Sequence, residues 1–198
     1  MDTENKNNAG TIFIPDISGF SNFVNEIEII HGQEITGELL EEIINSEELG
    51  FEISEIEGDA ILYYKIGDKI KIDEIYRQSI KMLKNFRQKI EIIQKKRICK
   101  CNACSSVKNL KLKFVLNYDY LKIINIKNFS KLYGRGVIIA HRLLKNSLRD
   151  QEYVIFTKNY LDANTKPKLF NFTFNNLKEN LESFGETECY YIKFDQPK

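Results

Sequence analysis

The chain has 198 residues, 42% of them hydrophobic and 29% charged, with a formal net charge of +1; this is the balance of a folded domain with one sizeable core and excludes a disordered polyelectrolyte. No apolar run approaches the ~20 residues of a membrane helix, and the polar opening MDTENKNNAG lacks a basic segment followed by an apolar one, so neither a membrane span nor a secretory signal is expected. The near-neutral total hides an asymmetry: residues 1–60 hold fifteen Asp or Glu against one Lys, and residues 81–113 hold eleven Lys or Arg against one Glu.

In chain order, residues 1–9 read as a disordered leader ahead of one domain over 10–198. Thr11–Phe20, TIFIPDISGF, begins with a short apolar strand at about 11–17 that ends in a carboxylate, Asp16, and a glycine-containing turn. Phe20, Phe23, Val24, Ile27 and Ile30 then recur at helical spacing, and His31-Gly32 is expected to end that helix. A second helix begins near Gln33, with Ile35, Leu39, Leu40, Ile43 and Ile44 on one face. Ser54–Tyr64, SEIEGDAILYY, joins strands near 51–57 and 60–66 through Gly58-Asp59, where glycine supplies the positive φ a tight hairpin needs. Residues 72–97 form the longest predicted helix, opened by Asp73 and Glu74 and closed by Lys95, Lys96 and Arg97 as the helix dipole favours. Strands at 110–118 and 121–127, linked near Asp119-Tyr120, precede a helix over 136–148. A strand at Glu152–Thr157, a helical turn at Lys158–Leu161, a loosely alternating stretch at Lys166–Phe174 and a strand at Gly185–Asp195 close the chain. This order of elements is that of an α+β protein.

Asp16 and Asp59 are each expected at the exposed end of a strand. If the first strand pairs beside the hairpin, the two carboxylates converge on a divalent cation, for which hard oxygen donors suit Mg²⁺ or Mn²⁺; ordinary surface aspartates in turns are the plain alternative. Cys99, Cys101 and Cys104 lie in RICKCNACSS, where neighbouring Lys and Arg favour thiolates. They point to Zn²⁺, with Cys189 or a partner chain as fourth ligand, to redox sensing, or to an inert cluster. His31 and His141 read as a helix cap or packed core histidine rather than as ligands. The charge asymmetry reads as a solvated acidic face and a solvated basic helix; complementary self-association and a polyanion-binding patch are the sharper readings. Gly-x-x-x-x-Gly-Lys, Gly-x-Ser-x-Gly and His-Glu-x-x-His are all missing from the sequence, which argues against P-loop, hydrolase and zincin chemistry.

TIFIPDISGFSNFV, EIEGDAILYY and LYGRGVIIAHRLLKNS (Leu132–Ser147) together resemble, in order and rough spacing, the catalytic core of class III nucleotidyl cyclases across residues 11–150. The chain is similar also to an uncharacterised bacterial cyclase-like group that shares the Cys-x-Cys-x-x-Cys cluster and the His-Arg-Leu-Leu-Lys-Asn run. The resemblance implies a ferredoxin-like α+β fold, an antiparallel sheet with helices packed on one face. It implies metal ions at Asp16, Asp59 and the carbonyl of Ile17, and phosphate oxygens facing Ser18, Gly19 and Phe20. Arg142 matches the transition-state arginine, and Glu55 and Lys131 fall at the base-selecting positions. In such enzymes the ribose 3′-hydroxyl attacks the α-phosphorus and expels pyrophosphate, at sites shared between two subunits. The transition-state asparagine, however, is Ile138 here, and Lys131 replaces the usual Asp or Cys. Glu55 occupies a position that is Lys in adenine-selecting and Glu in guanine-selecting relatives. The resemblance therefore implies a degenerate, homodimeric signalling protein, and the sequence without a visible signal or span leads one to expect it in the cytoplasm. It would bind a divalent metal and a nucleoside triphosphate or related ligand with little or no turnover. An active cyclase and a non-catalytic interaction or zinc/redox module are the alternatives; neither a membrane nor nucleic acid is an expected partner.

Overall fold

A computed structural model describes residues 9–25, 29–96, 106–149, 151–161 and 173–194. Residues 1–8 of the leader expected over 1–9, the cluster Cys99, Cys101 and Cys104, and the stretch 162–172 lie outside the described residues, while Ala9 already belongs to a strand. The apolar run that opens the chain becomes the buried strand β1, Ala9–Ser18. After it come α1 (Phe20–Asn25), α2 (Ile29–Asn45), the hairpin β2 (Glu52–Glu57) and β3 (Ala60–Ile66), and α3 (Ile72–Lys96). A 3₁₀ turn at Val107–Asn109 leads into β4 (Lys111–Tyr120), followed by β5 (Lys122–Ile126), β6 (Phe129–Tyr133), α4 (Arg135–Leu143), β7 (Tyr153–Thr157), β8 (Asn175–Leu181) and β9 (Gly185–Lys193). The main sheet runs β2-β3-β1-β4-β7-β9-β8, and β5 and β6 form a separate two-stranded ribbon.

Side chains alternate across the sheet, so each strand feeds two cores. On one face Phe13, Ile61, Tyr63 and Phe114 pack against Ile35, Leu39 and Ile43 of α2 and Ile75, Leu83 and Phe86 of α3. Phe13 stacks on Phe114 with ring centroids 5.5 Å apart. On the other face Ile12, Ile14, Leu62, Val115 and Ile155 receive Val137, Ala140 and Leu143 of α4. The fold is α+β as expected, with two departures in detail. Helices cover both faces rather than one, because α4 carries its own apolar stripe and the sheet is apolar on both sides. The sheet is also mixed: β4 and β7 are parallel, joined by a long connection through the ribbon and α4, as parallel neighbours require.

Two helix boundaries differ from the sequence expectation. His31-Gly32 does not end a helix; α2 runs through it, since one helical glycine costs only about 1 kcal/mol and the apolar face from Ile35 to Ile43 holds the segment. The helix expected over 136–148 ends at Leu143. The strand expected at 121–127 spans Lys122–Ile126 and pairs with β6, turning at Lys127, which has φ 54°. Among the described residues no helix is long and apolar enough to cross a membrane.

The start of α4 lies against β4 with no room to spare. A Cβ at Gly136 would stand 2.5 Å from Asp119 Cβ and 2.7 Å from Asn117 Nδ2. Buried Asn117 donates to the Gly136 carbonyl at 3.0 Å and accepts from Thr157 Oγ1 at 2.5 Å, tying α4, β4 and β7 together. Overpacking of this kind costs about 1–3 kcal/mol. Gly136→Ala is therefore expected to lower the melting temperature by several degrees, read in a thermal melt; an unchanged melt would show that α4 is free to shift outward.

Candidate functional site

Asp16 lies near the C-terminal end of β1, opposite Ala60 of β3 on one side and Lys113 of β4 on the other. By strand alternation it shares the α4 face with Ile12 and Ile14. Asp59 occupies the β2–β3 turn, where Gly58 takes φ 60°. The Asp59 carbonyl accepts the Ile17 N–H at 3.1 Å, which fastens the hairpin tip to β1 one residue beyond Asp16. Both aspartates consequently line one pocket of about 620 Å³, together with Ser18, Gly19, Phe20, Glu57, Lys113, His141 and Lys145. Ile17 lines it too, and because its side chain is buried in the α2–α3 core, its backbone is the part facing the pocket.

The two carboxylates are electrostatically loaded. Asp16 is only 8% exposed, and burial raises its carboxyl pKa against the opposing pull of Lys113. Asp59 is pushed up to about 6, first by burial and then by the negative charge of Asp16. Lys113 Nζ sits 2.9 Å from Asp16 Oδ2 and also donates to the Leu144 carbonyl at 2.8 Å, just past the end of α4. His141 stands between two glutamates, its Nε2 3.7 Å from Glu55 Oε1 and its Nδ1 3.6 Å from Glu57 Oε2.

Asp59 gives a signed pH dependence. Its folded pKa lies above the ordinary aspartate value, so the stability it contributes is fully present at low pH and is lost as pH rises through about 6. Above that pH the ionised carboxylate weighs against the fold. Asp59→Asn is expected to stabilise the metal-free protein at about pH 7.5 by on the order of 1 kcal/mol, once solvent screening at this partly exposed position is discounted. At about pH 4 the gain should disappear. Thermal melts at the two pH values check this, and a loss of stability at the higher one would contradict it.

Other residues singled out by sequence lie elsewhere. Arg142 is not part of the pocket within one chain; its guanidinium donates to the Glu182 carbonyl and lies 5.3 Å from the centre of the Phe184 ring. Glu55 is not in the pocket lining and faces His141 instead. Lys131 is exposed on the ribbon, opposite Ile124. Gly19 has φ 88° and its carbonyl accepts from Phe23; α1, at six residues, is too short for a strong dipole, so any anion contact there falls to the turn itself. Cys189 is fully buried and its thiol pushed up to about 12, chiefly by burial. A protonated core thiol is unsuited to serve as a fourth zinc ligand. His141, expected as a cap or core residue, instead forms part of the pocket wall. Lys113 was not anticipated. The alternation of KLKFVLN marks its strand, but its register against Asp16 is a long-range fact that no local pattern carries.

The donors at the pocket fit a hard divalent cation in one respect: two carboxylate residues line it beside a backbone turn. Among the described residues no group of three or more His, Cys, Asp or Glu is placed to hold a metal ion. A cation here would therefore complete its shell with water or ligand oxygens, as Mg²⁺ commonly does.

Known proteins agree with this architecture. The chain resembles adenylyl cyclase CyaB of P. aeruginosa, with TM-score 0.71 at 15% identity over 95% of each chain. It resembles guanylyl cyclase Cya2, with TM-score 0.66 at 13% identity over 93% of this chain and 91% of that one. The guanylate cyclase domain of RhGC from Catenaria anguillulae, solved in complex with GTP, superposes with TM-score 0.59 at 15% identity, covering 96% of this chain and 98% of that one. In sequence, the uncharacterised protein Rv2561/Rv2562 of Mycobacterium tuberculosis is 30% identical over 158 residues, which is 78% of this chain and 71% of the relative. Residues 36–153 match the family described as "Protein of unknown function (DUF2652)". The chain thus belongs to the DUF2652 family and is built on the fold of class III nucleotidyl cyclase catalytic domains.

Proposed function

We propose that the protein binds a divalent cation together with a nucleoside triphosphate or related polyphosphate ligand, with little or no cyclase turnover. One observation carries the reading: Asp16 and Asp59, distant in sequence, line a single pocket beside the Ser18-Gly19-Phe20 turn. Asp16, Asp59 and the Ile17 carbonyl would hold Mg²⁺ or Mn²⁺, which supplies Lewis-acid neutralisation of phosphate charge when bound. The turn amides and Lys145 border the space a polyphosphate would occupy.

The catalytic half is weaker. Ile138 has no hydrogen-bond donor to offer, and Arg142 is engaged by the β8–β9 turn. Association as a homodimer is part of the same reading, because a second copy is the source from which an α4 arginine would reach the pocket. Its support is the apolar surface on the ribbon, α4 and the edge strand β2: Phe129 is 77% exposed and Tyr133, Ile126, Ile138 and Ile56 are exposed with it. Contiguous exposed apolar surface marks association sites, and β2 and β6, which carry Ile56, Phe129 and Tyr133, are neighbours.

The test is a thermal-shift measurement with ATP or GTP, with and without Mn²⁺, run beside a pyrophosphate-release assay. Stabilisation that needs both nucleotide and metal, without pyrophosphate release, is the expected result. Stabilisation by neither would overturn the binding reading, and sustained release would make the protein an active cyclase.

A further inference from the structure

We propose that this pocket takes one divalent cation rather than two, with the Lys113 ammonium serving as the second positive charge against Asp16. The inference rests on the metal–nucleotide reading above and sharpens it. Two cations shared by one pair of carboxylates would draw most readily on both oxygens of each. Here one of the four is engaged, since Lys113 Nζ lies 2.9 Å from Asp16 Oδ2.

The ammonium is held there by the fold. The β1–β4 register sets Lys113 directly across from Asp16. Its side chain is only 16% exposed, and its second hydrogen bond, to the Leu144 carbonyl at 2.8 Å, places it at the negative end of α4, where a cation is favoured. Swinging away would leave a poorly solvated ammonium, a nearly buried carboxylate and a helix-end carbonyl unpaired together, each at the cost of an unsatisfied buried polar group. A second divalent ion on the same edge of Asp16 would meet the ammonium's positive charge at close range. Asp16 Oδ1 and the Asp59 carboxylate, which also accepts from its own backbone N–H, are left for one cation, and a cation of the Mg²⁺ type needs only one or two carboxylates alongside phosphate and water oxygens.

This arrangement limits the chemistry. A two-metal site clamps the attacking and leaving oxygens of an in-line displacement together. An ammonium offers charge and hydrogen bonds but no open coordination position to lower the pKa of a hydroxyl. With one cation the site can neutralise a polyphosphate or polarise a hydroxyl, and it loses the simultaneous clamp on attacking and leaving oxygens, independently of Ile138.

The experiment is electron paramagnetic resonance of Mn²⁺ titrated into the full chain with a non-hydrolysable nucleoside triphosphate analogue, counting bound ions and looking for the exchange-coupled spectrum of a dinuclear pair. One uncoupled Mn²⁺ per chain is expected for the wild type and for Lys113→Arg, and two coupled ions for Lys113→Met, with circular dichroism confirming that each variant is folded. Two coupled ions in the wild type would overturn the proposal while leaving the metal–nucleotide reading intact. So would a folded Lys113→Met that still binds one. If Lys113→Met does not fold, the wild-type count decides alone. No protein-bound Mn²⁺ at all would overturn the metal reading and this inference with it.

Discussion

Purified protein supplied with ATP or GTP and Mn²⁺ is expected to form cyclic nucleotide at a rate near background. Loss of one oriented polar group at a transition state typically costs about 10²–10³ in rate. By the resemblance to class III cyclases Ile138 takes the position of that group; it is 47% exposed on α4 and has no hydrogen-bond donor to offer. Arg142, one turn further along, is held by Glu182 and stacked on Phe184. Ile138→Asn alone should therefore recover little of the loss, because the guanidinium must also be released from the β8–β9 turn. Pyrophosphate release over time is the measurement. Robust turnover by the unmodified protein would refute this account of α4.

Asp16→Asn combined with Asp59→Asn is expected to abolish the Mn²⁺-dependent rise in melting temperature that nucleotide produces in the wild type. A ligand present at about 100 times its dissociation constant stabilises by about 2.7 kcal/mol, which for a chain of this size is a shift of roughly 5–10 °C. The amide variants keep the shape of both side chains, and the new amide oxygen on β1 can still accept a hydrogen bond from Lys113, so the loss should be specific to the metal. Differential scanning fluorimetry or calorimetry reads it directly. A shift that persists at full size in the double variant would place the cation somewhere other than these carboxylates.

The parts of this structure that were legible in sequence are those written in local patterns. The continuous apolar run Ile12-Phe13-Ile14 fits a strand buried on both faces, Gly58-Asp59 fits a tight hairpin turn, and the stripe from Ile72 to Ile93 fits the length of α3. What was lost to sequence is of two kinds. β6 and β8 are exposed strands, FSKLY and NNLKENL, whose polar composition hides them; backbone pairing with β5 and β9 rather than a buried face defines them. The other kind is long-range register. That α4 would cover a second sheet face, that Lys113 would lie against Asp16, and that His141 would sit between Glu55 and Glu57 all depend on which strands become neighbours. Three family motifs in order located the aspartates, but within one chain they did not place Arg142, Glu55 or Lys131 at the pocket. Within the chain Arg142 is taken up by Glu182 and Phe184 and Glu55 by His141, while Lys131 is exposed on the ribbon.

The most direct test of the central claim is anomalous diffraction at the manganese edge from crystals of the full chain grown with Mn²⁺ and a non-hydrolysable nucleoside triphosphate analogue. The account predicts a manganese peak in contact with the carboxylates of Asp16 and Asp59, with phosphate oxygens completing the coordination beside the Ser18-Gly19-Phe20 turn. A well-ordered pocket without anomalous density between those carboxylates, or nucleotide bound elsewhere on the chain, would contradict it.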